Sequence, residues 1–104
     1  MTFDEVAYLL EVKRTVTDRG SLAEELIMTE VLVQYKSIGY REFYQAEAVG
    51  MKPQMILVMA EFLEYEGQKQ VEFRKRRYDI LKTFQKIGER TLELTLSAPI
   101  NEGV

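Results

Sequence analysis

With 104 residues, 46% hydrophobic and 30% charged, the chain has the composition of one folded domain spanning 1–104 and no room for a second core. Fourteen basic against seventeen acidic side chains leave a net charge of −3, so no overall field draws it to a polyphosphate backbone. Histidine and cysteine are both absent, which removes the usual general base, the thiol nucleophile, thiolate zinc sites and disulfides, and with them most hydrolase and metalloenzyme chemistries.

From Val6 to Val12 the even positions Val6, Tyr8, Leu10 and Val12 are apolar while Glu11 and Lys13 face the other way, a period of two that predicts a first strand. Thr17–Asp18–Arg19–Gly20–Ser21 is a turn cluster. A second, half-exposed strand follows, with Thr29, Val31, Val33 and Tyr35 alternating against Glu30, Leu32, Gln34 and Lys36.

Ser37 to Pro53 is an insert. Tyr40, Phe43 and Tyr44 stand at i, i+3 and i+4, so their rings share one face of a short helix whose other face carries Arg41, Glu42 and Gln45. Gly50 suits a left-handed C-terminal cap, and Pro53 returns the chain to extended geometry. The aromatic stripe has two uses: packing on its own core, which prior experience of such stripes favours, or anchoring a partner.

A third strand runs from Gln54 to about Phe62. Met55 to Ala60 is apolar on both faces, so the run needs a cover on each side, and a neighbouring subunit meeting Met55, Leu57 and Met59 is one candidate. Glu66–Gly67–Gln68 is a turn, Lys69 to Phe73 a short strand, Arg74–Lys75 a tight hairpin tip, and Arg76 to about Lys86 the next strand. After a turn at Gly88–Glu89, Leu92, Leu94 and Leu96 alternate with polar residues in a last strand closed by Pro99, and Ile100 to Val104 is expected to form a loose tail. About six short strands and one helix predict a mainly β fold, a small antiparallel barrel or sandwich.

Little here carries reaction chemistry. The carboxylates Glu24, Glu25, Glu61, Glu64 and Glu66 lack the spacing of a cation loop and read as solvated faces; no phosphate loop or nucleophile elbow is present. Neither a metal, a cofactor nor a small-molecule substrate is expected. The basic run Arg74, Lys75, Arg76 and Arg77 beside Tyr78 could touch DNA phosphate or an acidic partner, although like charge at a turn commonly serves solubility alone. The longest apolar run is far short of the roughly 20 residues that span a bilayer, and MTFDEVAYLL does not read as a signal peptide.

These segments resemble the head-tail adaptor family of tailed phages, the small head-closure or stopper proteins of siphovirus-type virions. The likeness rests on VQYKSIG (33–39) running into REFYQA (41–46), then GMKP (50–53), EYEG (64–67) and RYDIL (77–81). It implies a β-barrel without catalytic activity, located in the virion after assembly in the host cytoplasm. The partners implied are a portal-side adaptor, tail proteins and copies of itself in a ring of about twelve-fold symmetry. Packaged double-stranded DNA would pass through the channel. Arg41, Glu42, Phe43, Tyr44, Gln45 and Lys52 of the insert become candidates for the channel loop or partner contact. Adaptor, closure and terminator rings all use such barrels, so the level in the stack stays open. Relatives often carry glycine in the hairpin where this chain has Lys75, so another turn type or a longer loop is expected there. The alternative from a different class is an OB-like barrel that binds single-stranded nucleic acid through Arg74 to Arg77, with Tyr65 and Tyr78 as stacking platforms.

Overall fold

The computed structural model describes residues 2–100; of the tail expected over 100–104, residues 101–104 lie outside them, and Ile100 donates its N–H to the Arg77 carbonyl at 2.9 Å. The strands are β1 (Glu5–Val16), β2 (Leu22–Lys36), β3 (Pro53–Met59), β4 (Gln70–Phe73), β5 (Arg76–Phe84) and β6 (Leu92–Pro99). Helix α1 (Tyr40–Ala48) stands between β2 and β3, and a single 3₁₀ turn, Phe62–Glu64, between β3 and β4. All pairings are antiparallel, and the sheet closes on itself in the order β1-β2-β3-β6-β5-β4. The mainly β architecture with one short helix in the insert is therefore as the alternation predicts.

The seam that closes the barrel is short, Ala7–Leu10 of β1 against Phe73–Gln70 of β4. Inside, Leu9, Val33, Leu57, Phe73, Leu94 and Leu96 are all but inaccessible to solvent and leave no lumen, as expected for so few strands. In β6 the inward row is Leu92, Leu94 and Leu96, the residues whose alternation was cleanest.

In β1 the direction of the alternation is the reverse of what the apolar even positions suggest. Ala7 and Leu9 point into the core, and Val6, Tyr8 and Val12 lie on the outward row. Both faces of Val6–Leu10 are apolar, so periodicity alone does not choose between them; the partners Val31 and Val33, opposite Ala7 and Glu5, do. Both strands are also longer than expected. Pairing continues from Glu11↔Ile27 to Val16↔Leu22, so β1 and β2 run out beyond the barrel as a two-stranded arm tipped by Thr17–Ser21, where Gly20 takes φ +78°. The molecule measures 52 × 31 × 24 Å as a result.

The third strand ends at Met59, not near Phe62. There the chain bends: Phe62 donates its N–H to the Arg90 carbonyl, and the Glu61 carboxylate accepts from Leu63 N and from the Arg90 guanidinium at 2.6 and 2.9 Å. Leu57 and Met59 belong to the barrel interior, and Met55 packs partly buried against it, so the expected subunit surface at Met55, Leu57 and Met59 is corrected to core. The outward row, Ile56 and Val58, is buried too, but by the chain itself. Helix α1 lies against β3, and Lys36 of β2 reaches across that strand to Glu93 of β6 at 3.4 Å.

Candidate partner-contact surfaces

Helix α1 owes its ends to its flanks. Gly39 stands at the N-cap without a side chain to offer, and the Phe43 N–H bonds to its carbonyl at 2.9 Å. At the other end Gly50, at φ +81°, donates to the Glu47 carbonyl while Met51 donates to that of Ala46, the paired hydrogen bonds of a glycine-terminated helix. The cap that Gly50 predicts is thus present. Ala46 is the helix's buried residue, and its methyl lets the helix sit close to the sheet.

The aromatic stripe does share one face, but that face turns to solvent. Tyr40 is 83% exposed and Tyr44 62%; their rings stack with centroids 6.5 Å apart, and Phe43 meets Tyr44 edge-on at 5.6 Å. Only Phe43 is half-buried. Packing on the core, the use its spacing favoured, is therefore corrected: with Ile38, these rings form an open apolar cleft. Arg41, Gln45 and Lys52 are exposed around the insert, and Glu42 is half-buried facing a second cleft with Lys36, Lys82 and Lys86.

At the β4–β5 tip, the two-residue turn is as tight as its sequence position predicts, with Phe73 opposite Arg76. Lys75 in place of a glycine lengthens nothing: Arg74 and Lys75 adopt φ +52° and +66° as they stand. Side chains with a Cβ are strained there, by about 1 kcal/mol or more each. Arg74 helps hold the turn: its guanidinium grips the Glu5 carboxylate at 2.6 and 2.9 Å and lies over the rings of Phe73 and Tyr35 at 4.8 and 5.3 Å. Lys75→Gly, which relieves one strained residue and leaves that grip intact, is expected to raise stability by about 1 kcal/mol, read as a higher urea midpoint.

Arg74's hydrogen bonds hold the Glu5 carboxyl below its ordinary range, while Glu5 raises Arg74. A carboxylate depressed in the folded state stabilises above its unfolded titration and ceases to as pH falls through the folded one. Wild type should therefore exceed Glu5→Gln in urea midpoint at neutral pH, with the difference closing as pH falls through the lowered titration of Glu5.

The basic run does not form one patch. Arg74 is committed to Glu5, Lys75 and Arg76 are exposed, and Arg77 is half-buried on the opposite face of β5 from Arg76. Tyr78 lies in the core, and the Tyr65 hydroxyl donates to the Gln68 carbonyl at 2.8 Å, with burial pushing its titration up. Neither ring offers the free face that base stacking needs. Among the acids, Glu24 pairs with Arg14 and Glu61 with Arg90. Among the described residues, no group of acids is arranged to hold a metal ion, and no helix is long and apolar enough to cross a membrane.

Neither a protein-family model nor a curated protein matches this sequence.

Proposed function

We propose that the protein is a structural component of a phage head-tail connector, a ring-forming head-closure subunit that seals the filled capsid, gates its channel and docks the tail, with no catalytic step of its own. The observation that carries the reading is the insert. A capped helix presents two stacked, solvent-facing tyrosines from the side of a barrel whose own interior is filled, which suits a surface made to be covered by another protein. The family resemblance of the segments around that insert supports the same assignment. In a ring each contact is head to tail, so a modest surface repeated around the circle is stabilised by closure.

Two variants test it in a phage or prophage that encodes the chain. Deleting the gene should leave particles that lose DNA and stay tailless. Tyr40→Ala with Tyr44→Ala should do the same while the purified variant keeps the wild-type urea midpoint, since neither ring supports the core. Full, infectious, tailed virions from the deletion would overturn the reading; normal virions from the tyrosine variant alone would move the contact away from the insert.

A further inference from the structure

The arm carries a surface that the connector reading does not use. Cross-strand pairing places Val6 beside Leu32, Tyr8 beside Glu30, Leu10 beside Met28, Val12 beside Leu26, Arg14 beside Glu24 and Val16 beside Leu22, all on the outward row. Apart from buried Leu10, the aliphatic members and Met28 are 37% to 75% exposed. They amount to on the order of 500 Å² of apolar surface, toward the upper end of the largest patch that a monomer usually leaves uncovered. Arg14 and Glu24 form the row's one ion pair, at 3.0 Å, and sit in its midst.

We propose that this row is a homodimer contact, two copies laying their arms face to face about a dyad that runs along the hairpin. Such a dyad exchanges the two strands, so every residue meets the other member of its own cross-strand pair. Val12 falls over the partner's Leu26, Val16 over the partner's Leu22, and Arg14 over the partner's Glu24. A dyad across the hairpin at the level of the ion pair would instead set Arg14 on the partner's Arg14, and like charges exclude it. Edge-to-edge pairing would use the free backbone of β2 but leave the apolar row wet. Burying both rows removes about 1,000 Å² in all, the lower bound of a specific interface, so the dimer is a weak, reversible one. Because a dyad contact closes on itself, it builds no ring and stands or falls apart from the connector reading.

The Arg14–Glu24 pair supplies the test, since its side chains are 72% and 61% exposed and its loss costs the fold little. By sedimentation equilibrium, wild type should be in monomer–dimer exchange at tens of micromolar. Arg14→Glu alone and Glu24→Arg alone should each be monomeric, with unchanged circular dichroism. An equimolar mixture of the two should dimerise again, because each acidic arm then faces a basic one. In that mixture Val12→Cys placed on one variant and Leu26→Cys on the other should form a mixed disulfide, in a chain that has no other cysteine. Wild type monomeric to several hundred micromolar, single variants that still dimerise, or a mixture that stays monomeric would each overturn the proposal.

Discussion

Phe73→Ala should cost about 3–5 kcal/mol, a large part of the roughly 5–15 kcal/mol that holds a domain of this size together. Phe73 is among the largest of the fully buried side chains, and three structural features depend on it. Its ring fills the barrel interior; its backbone pairs with Ala7 in the closing seam; and its face receives the Arg74 guanidinium that holds a strained turn. Truncation removes the first and third contributions together and leaves a cavity beside a short seam that cannot collapse freely. Urea unfolding measures the loss, and Phe73→Leu, which keeps most of the volume, should recover more than half of it. A loss below about 1 kcal/mol would mean that the seam and tip do not rely on this residue.

Ile56→Ala should cost about 2–4 kcal/mol although the residue is outside the barrel. Ile56 is 1% exposed on the outward row of β3, between Lys36 and Thr95, and the element on that side of the strand is α1. Its truncation should therefore have a local signature as well: amides of residues 43–48 should exchange faster by a larger factor than those of residues 92–96. Uniform acceleration would show that the helix gains nothing from Ile56. Leu57→Ala, one residue along but facing inward, is the matched control and should loosen β6 and α1 alike.

How much of this was legible in the sequence depended on whether one face of a segment was clearly polar. In Leu92–Pro99 it was, and inward Leu92, Leu94 and Leu96 follow directly. In Val6–Leu10 it was not, and the choice fell to Val31 and Val33 across the sheet, a tertiary fact. The arm was missed because Leu22–Met28 interrupts its apolar residues with Glu24 and Glu25, destroying strict alternation, while the ladder itself is indifferent to those charges. The insert's helix, its Gly50 cap and the Arg74–Lys75 tip were all readable from turn and capping chemistry. That Tyr40, Phe43 and Tyr44 share a face was readable as well; which way the face points was not, because Ala46, an inconspicuous residue, is the one that seats the helix. Covering β3 with the chain's own helix and a Lys36–Glu93 bridge likewise needed knowledge that β2, β3 and β6 are neighbours.

The seam between β1 and β4 joins stretches roughly 60 residues apart along the chain, so the first of these strands to leave the ribosome waits for β4 before it gains its second neighbour. Until β4 and β5 emerge, the nascent hairpin must carry Ala7, Leu9, Val31 and Val33 uncovered on one side and the arm's aliphatic row on the other. The yield of folded protein is then governed by how well this early hairpin is kept from its own kind during synthesis, and the charges at Glu24 and Glu25 stand where they can do that.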